Sequence, residues 1–450
     1  MPKAFRCSPV LFSCLTALVL LAGCASQAAS PGSAGDAPMN DTANTAMNPI
    51  GESYVKLALD VGGHDPDYVD AYYGPPEWRT AAEGRKRPLA EIRSEAQGLL
   101  SRLEALRASL PQDEMLRLRH QYLTSQISSL VARVDMLSGK KLSFDEETRA
   151  LYDVSVPRYD EAHFQAILDN LDRSLPGEGT LTERYEALRE GVAVPRDRVD
   201  AVFRAATEEC RRRTAGHIPF PEGESFVIEY VEGKPWAGYN WYQGNFKSLI
   251  QVNTDLPVYV DRAVDIACHE GYPGHHLYNA LLEKELVRGR GWVEASIYPL
   301  FSPQSFIAEG TANYGILMAF PGEERVAYER DVLFPLAGLD AGRAARYYQV
   351  QSLLRGLSYA ANEAARRYLN GEASREQTLA FLQRFGLMNE KRADQQIRFI
   401  DQYRSYVINY NVGRDLVQEY IERGNPSRDE RWNRFERLLA SPRLPSGLKG

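Results

Sequence analysis

The spacing of apolar and polar positions predicts a mainly helical protein. Beyond residue 50, apolar residues recur every three or four positions along most of the chain, which gives a helix one apolar face. In the stretch 89–110, for example, Ile92, Leu99 and Leu103 form one stripe. The spacing predicts helices over 89–110, 115–137, 161–171, 195–213, 325–368, 376–385 and 391–423.

The middle of the chain follows a different pattern. Apolar and polar residues alternate over 225–230, and 245–253 is a second strand-like stretch. Between them, 233–244 is rich in glycine and aromatic residues and is predicted to be a loop. The predicted fold class is therefore mainly α with a small embedded β-sheet. We expect the strand at 245–253 to lie at a sheet edge, where an extended peptide could pair with it.

The first 24 residues are predicted to be a signal peptide. A short positive segment precedes an apolar run over 10–22, which is too short to span a membrane as a helix. The run ends in Leu-Ala-Gly-Cys at 21–24, which resembles a bacterial lipoprotein signal, and the alternative is a plain secretory signal. Acylated Cys24 would anchor the chain to a membrane of the cell envelope, facing the periplasm. Ala25 after the cysteine favours the outer membrane if the organism is Gram-negative.

The composition divides the rest of the chain into a tether and one large domain. Residues 25–49 are rich in Ala, Ser, Asn, Gly and Pro and are predicted to be a flexible tether. Residues 50–450 are predicted to form a single domain. The formal net charge of −7 offers no basic surplus for binding nucleic acid. Only Cys210 and Cys268 fall in this domain, and they are either one disulfide or two buried thiols.

A histidine cluster carries the candidate chemistry. Three of the seven histidines lie within eight residues, at His269, His275 and His276, and Glu270 follows the first of them. Neutral imidazole is a common zinc ligand, and a neighbouring carboxylate can act as the general base toward a water molecule. The sequence therefore predicts a Zn²⁺ site with Glu270 as the catalytic base.

The spacing leaves the second histidine ligand open. The usual zinc-hydrolase pattern places two histidines four residues apart on one helical face, but position 273 here is proline. On a straight helix, His276 would lie roughly 10 Å further along the axis than His269. Pro273 and Gly274 are expected to break the helix and return a later histidine toward His269. The ligand is either His275 or His276, with His275 slightly favoured.

A third ligand is predicted on the helix that follows. Glu309 is surrounded in sequence by Phe306, Ile307 and Ala312, and a carboxylate is costly to bury without a partner such as a metal ion. Asn313, one turn later, is a candidate for supporting that ligand. Glu294 competes as a ligand but lies in a more polar, glycine-rich context.

These motifs carry a family resemblance. HEGYPGHH at 269–276 and EGTANY at 309–314 resemble the bacterial family catalogued as domain of unknown function 885, and further similarity lies at 65–77 and 239–245. The resemblance covers about 52–425. It implies a metallopeptidase-like helical fold with a deep active-site cleft, distantly similar to the gluzincin-like HExxH…E zinc metallopeptidases.

The resemblance also implies roles for individual residues. His269, one of His275 and His276, and Glu309 would bind zinc, and Glu270 would be the general base. Tyr347, Tyr348 and Tyr359 are candidate oxyanion donors, although the proline and glutamine common in this part of the family are absent near 354–359.

Together these features predict a zinc-dependent hydrolase of the cell envelope, acting on peptides. One alternative is a metal-dependent hydrolase of a non-peptide ester or amide, whose substrate would be a small molecule. Another is a non-catalytic envelope lipoprotein with a relict metal site, against which Glu270 argues because a structural site needs no base. A last alternative is a lipid-anchored binding protein that uses the aromatic residues of 236–242.

Overall fold

The computed structural model describes residues 36–234, 236–255 and 257–449. Most of this part of the chain is helical, which confirms the predicted fold class. The helices are α1 (Asp36–Gly62), α2 (Pro76–Glu83), α3 (Leu89–Leu106), α4 (Glu114–Leu137), α5 (Phe144–Tyr152), α6 (Glu161–Ser174), α7 (Leu181–Glu190), α8 (Val199–Ala215), α9 (Val260–Ile266), α10 (His275–Leu282), α11 (Pro303–Ala319), α12 (Glu323–Tyr328), α13 (Phe334–Ala337), α14 (Ala344–Leu354), α15 (Ala360–Leu369), α16 (Arg375–Phe385), α17 (Glu390–Tyr403), α18 (Ile408–Glu422) and α19 (Arg428–Leu439).

Two small sheets are embedded among the helices. The strands are β1 (Val69–Tyr72), β2 (Ser225–Val231), β3 (Gly238–Gly244), β4 (Lys247–Asn253) and β5 (Ile297–Pro299). Strands β1 and β5 pair antiparallel, while β4 lies between β2, which runs parallel to it, and β3, which runs antiparallel. The predicted edge strand is therefore wrong, because β4 is central and both of its edges are already paired.

Two further local predictions are wrong. The predicted loop 233–244 contains strand β3. Asn240 and Tyr242 bury their side chains on one face of the sheet, and this burial stabilises the extended backbone. The predicted tether 25–49 overlaps helix α1 over residues 36–49. Met47 and Ile50 of that helix are fully buried in the core, so packing outweighs a composition that favours disorder.

Helix α11 lies in the middle of the core and fixes the position of one site residue. It is buried along nearly its whole length, and its packing against α18 is the most extensive between any two described helices. A Cβ atom added to Gly310 would come within 2.6 Å of the Gly413 carbonyl oxygen. Two glycines therefore allow the backbones to touch at the position next to Glu309.

A disulfide joins helix α8 to the end of α9. It links Cys210 to Cys268, the residue before His269. This resolves the choice between a bridge and two thiols. It also ties the first histidine of the cluster to a second helix.

None of the described helices is both long enough and apolar enough to cross a membrane. The signal segment and Cys24 lie outside the described residues, so the lipid anchor stays a prediction.

Candidate metal centre

A break between two helices brings His269 and His275 together. Helix α9 widens into a single π-helical turn, Ala267–Gly271, and α10 begins at His275. Such turns insert one residue into a helix and recur at functional sites. In the break, the backbone N–H of Gly274 donates to the carbonyl of Cys268 at 3.0 Å. The chain thus turns tightly enough for the Nε2 atoms of the two perpendicular imidazoles to approach each other.

Three side chains converge at this point. The Nε2 atoms of His269 and His275 lie 3.1 Å apart. Oε2 of Glu309 lies 3.2 Å from the Nε2 atom of His269, and Oε1 lies 3.6 Å from that of His275. The structure therefore brings together residues from the π-helical turn after α9, from α10 and from α11 that are up to forty positions apart in the chain.

The donor set and its spacing fit a single metal ion. Oε2 of Glu309 is buried and has no hydrogen-bond partner among the described residues. His269 Nε2 lies 3.2 Å from it without forming a hydrogen bond. Zinc bonds of about 2.0–2.2 Å in a tetrahedron place neighbouring ligand atoms roughly 3.3–3.6 Å apart. The 3.1 Å between the two imidazole nitrogens and the 3.2 Å between Glu309 Oε2 and His269 Nε2 are close to that spacing.

Glu270 lies beside the cluster, held by the neighbouring sheet. One of its carboxylate oxygens is within 4.8 Å of ligand atoms of both His269 and His275. Asn240 of β3 donates from Nδ2 to the Glu270 backbone carbonyl at 2.7 Å. A Cβ atom on Gly238 would be 3.0 Å from the Glu270 Oε1 atom, so glycine lets β3 approach the carboxylate. His269, Glu270 and His275 could themselves hold a metal ion, but Glu309 contacts the two histidines more closely than Glu270 does.

The surroundings of the cluster shift the pKa values of Glu270 and Glu309 in opposite directions. Burial raises the pKa of Glu270 above its usual range. Burial also disfavours ionised Glu309, but His275 and His269 hold the pKa of that carboxyl well below its usual range. Burial would lower the pKa of His275, yet the carboxylates of Glu309, Glu270 and Asp70 raise it to about 9. Two carboxyl groups with diverging pKa values are typical of acid–base chemistry.

The cluster lies in a cleft of about 1480 Å³ that contains tyrosines absent from the sequence-based prediction. Tyr406 donates to Oε1 of Glu309 at 2.8 Å. The ring of Tyr410 stacks near His269 at a centroid distance of 6.5 Å and is 38% exposed. Partial loss of solvent within the cleft and the carboxylates of Glu309 and Glu270 raise the pKa of Tyr410, so its hydroxyl keeps its proton. Tyr410 lies in the first turn of α18 and Tyr406 in the short turn just before it, and no local motif marks them.

His276 points away from the cluster, which resolves the choice between the two histidines. Its ring is fully buried, with Nδ1 2.9 Å from Ser248 Oγ and Nε2 3.0 Å from Glu224 Oε2. Burial would raise the pKa of Glu224, but hydrogen bonds from His276, Tyr272 and Arg211 lower it to about 2. His276 as a metal ligand is therefore contradicted, because both of its ring nitrogens are engaged with β4 and the Glu224 segment.

The predicted oxyanion donors lie elsewhere. The hydroxyl of Tyr347 accepts from Gln351, and that of Tyr359 donates to Asp415. Neither residue lines the cleft, so their predicted role is wrong, whereas Tyr348 does line it. The single helix predicted over 325–368 is instead divided into α12, α13, α14 and α15 with short turns between them, and this division sets the positions of the three tyrosines.

Two other candidates are also placed by the structure. Glu294 is buried in an ion pair with Arg119, whose Nε lies 2.6 Å from its Oε1, and it does not reach the cluster. Asn313 donates to the backbone carbonyl of Glu309 at 2.9 Å and lines the cleft.

Gly274→Ala is expected to destabilise the protein and open the site. A Cβ atom here would lie 1.8 Å from the His269 carbonyl oxygen, so the break must move. We expect a loss of at least about 2 kcal/mol in the free energy of unfolding, measured by urea denaturation. Gly98→Ala is the matched control, because its Cβ meets nothing within 4 Å in helix α3. Equal stability of the two variants would contradict the described break.

Comparisons with known proteins support a statement about the fold alone. No family model matches the chain, so the family resemblance of the motifs is not confirmed, and no curated protein matches either. The fold is similar to that of a provisionally named lipoprotein from Colwellia psychrerythraea, at 15% identity and a TM-score of 0.50, over 80% of this chain and 68% of that one. A carboxypeptidase from Pyrococcus furiosus aligns over 88% and 89% of the two chains, at 10% identity and a TM-score of 0.39. The first likeness agrees with the helical fold, and the second is too weak to carry an argument.

Proposed function

We propose that the protein is a zinc-dependent hydrolase that cleaves peptide bonds. The observation that carries this proposal is the convergence of His269, His275 and Glu309 in the cleft, with Glu270 beside them. Two imidazoles and one carboxylate are the protein donors of many catalytic zinc sites, which leave a coordination position open.

His269, His275 and Glu309 would hold the ion. A bound zinc ion supplies a Lewis acid that makes a water molecule nucleophilic near neutral pH. Tyr406 orients Glu309 through the bond to Oε1, so the other oxygen, Oε2, faces His269. The disulfide at Cys268 holds the backbone just before His269. The hydrogen bond from the Gly274 N–H to the Cys268 carbonyl holds the backbone after it.

Glu270 would move the proton. Its carboxylate accepts a proton from the attacking water and passes it to the leaving amine, as a general acid–base group does. Asn240 fixes its backbone and Gly238 leaves room for its side chain. The Tyr410 hydroxyl is protonated and open to the cleft, so it can donate a hydrogen bond to the oxygen that becomes negative.

The size of the cleft favours a polypeptide substrate over a small ester or amide. Its volume of about 1480 Å³ exceeds the range of roughly 300–1,000 Å³ that is usual for small-molecule sites. Strand β3, the sheet edge that borders the cleft, contributes Gly238, Tyr239 and Asn240 to its wall. Acylation of Cys24 would hold this cleft at a membrane of the cell envelope.

A substrate screen tests the proposal. Purified protein is incubated with a peptide library and, separately, with a panel of aryl esters and non-peptide amides. We expect peptides to be cleaved, cleavage to stop with a zinc chelator, and cleavage to return when zinc is restored. Turnover of esters alone would support the small-molecule alternative, and turnover of neither class would contradict a hydrolase.

A further inference from the structure

An exposed apolar row crosses the outer face of the three-stranded sheet. In register, Val227 of β2 faces Leu249 of β4, which faces Trp241 of β3. Val227 is 64% exposed and Trp241 is 41% exposed. Five large apolar side chains among the described residues are exposed, and two of them stand in this one row. The row is therefore a contiguous patch rather than scattered surface residues.

Aromatic rings in contact with one another connect this row to the cleft. The ring centroids of Trp241 and Tyr239 are 4.5 Å apart, and those of Tyr239 and Trp236 are 5.3 Å apart. Trp236 and Tyr239 both line the cleft, and the Tyr239 hydroxyl donates to Asp70, which also lines it. We call the whole set the aromatic ridge: Val227, Leu249, Trp241, Tyr239 and Trp236.

The centre of the ridge is held in place by side-chain hydrogen bonds. Trp241 Nε1 donates to Gln251 Oε1 at 3.0 Å, and Gln251 Nε2 donates to Glu229 Oε2 at 3.2 Å. A ring that is already fixed loses little conformational entropy when a partner covers it. Tryptophan and tyrosine in such positions dominate the binding energy of many protein interfaces.

We propose that the aromatic ridge binds apolar side chains of an extended polypeptide substrate, outside the bond that is cleaved. The proposal rests on the proposed function. Because the ridge is continuous with the cleft wall, a chain whose scissile bond lies at His269 and Glu270 can continue onto it. The substrate class is then a polypeptide that is unfolded or extended and carries apolar residues beyond the cleaved bond.

The charges around the ridge favour a polypeptide over a membrane surface. Exposed Glu229, Glu232 and Asp255 stand near the ridge together with Lys234 and Lys247. This mixture provides no basic surplus, which anionic lipid headgroups would require. Hydrogen-bonding groups between the apolar side chains suit a peptide, whose backbone and side chains are themselves mixed in polarity.

The test measures binding without cleavage. Zinc-loaded protein carrying Glu270→Gln is titrated with two fluorescent peptides that are based on one wild-type substrate. One has Leu and Phe at positions several residues away from the cleaved bond, and the other has Ser and Gln there. We expect the apolar peptide to bind about tenfold more tightly.

Trp241→Ala is expected to bring the ratio of the two Kd values close to one, and Leu249→Ser is expected to reduce it. Val332→Ser, at an exposed apolar residue outside the sheet, should leave the ratio unchanged.

Several outcomes would overturn the proposal. An unchanged ratio in Trp241→Ala and Leu249→Ser would remove the ridge from substrate binding, as would failure to bind either peptide. Binding to phosphatidylethanolamine–phosphatidylglycerol vesicles that Trp241→Ala abolishes would make the ridge a membrane contact. Dimerisation lost in the same variant, measured by sedimentation velocity, would make it an interface between copies. Cleavage of no peptide by the wild type contradicts the proposed function instead, whereas cleavage with an unchanged ratio contradicts only the ridge.

Discussion

Glu270→Gln is expected to lower the rate of peptide cleavage by about a thousandfold while leaving the metal in place. The Glu270 carboxylate lies beside His269 and His275, but Glu309 makes the closer contacts with them. Glutamine keeps the size of the side chain and its place beneath β3, but it cannot take up the proton of the attacking water. Cleavage of a fluorogenic peptide and the zinc content of the same preparation are the two measurements.

The matched control for this variant is Glu323→Gln. Glu323 also lines the cleft, but it is exposed and belongs to α12, away from the cluster. We expect its rate to stay within about threefold of the wild type, as for a surface substitution. A Glu270→Gln protein that retains zinc and cleaves within tenfold of the wild-type rate would remove Glu270 from the chemistry.

His275→Ala is expected to weaken zinc binding by more than about 100-fold, since even the loss of a residue that only supports a ligand costs 10–100-fold. The histidine next to it provides the control. His276 bonds with Ser248 and Glu224 and is turned away from the cluster. His276→Asn should therefore keep zinc affinity within about tenfold and lose about 1–3 kcal/mol of stability instead.

Competition with a chelating dye measures the affinity, and urea unfolding measures the stability. If His276→Asn loses zinc while His275→Ala retains it, the described break between α9 and α10 is wrong. If both retain it, the metal site lies elsewhere in the chain.

The helical class and two of the strands were predictable because their signal is local. Helices α3, α4, α6 and α16 begin within about one residue of the predicted starts, since an apolar stripe marks each of them. Glu309 was predicted on similar grounds, because an acidic residue in an otherwise apolar helix needs a partner. The structure brings it to both histidines, although its role as a ligand stays a prediction.

The choice between His275 and His276 could not be made from spacing. A π-helical turn adds a residue to α9, and the next helix starts afresh at His275. Helical phase therefore does not continue from His269. The direction in which α10 leaves the break decides which of the two imidazoles lies next to His269. That direction depends on the close contact of Gly274 with the preceding turn.

The tyrosines of the site were missed for a different reason. Tyr406 and Tyr410 follow Glu309 by about a hundred residues, and they reach it because α18 crosses α11 where Gly310 meets Gly413. Such a crossing is a tertiary event that no periodicity encodes. Strand β3 was missed because its glycine and aromatic residues are typical of loops, although Gly238 is what allows the strand to approach Glu270.

The most direct test of the central claim is a zinc titration of metal-free protein, followed by the rate of peptide cleavage at each step. We predict that cleavage is absent without zinc, rises in proportion to the zinc added, and levels off at one ion per chain. The same titration of His269→Ala should give no rise at one equivalent. Cleavage by the metal-free protein, or a wild-type protein that binds one zinc ion and cleaves no peptide, would contradict the account.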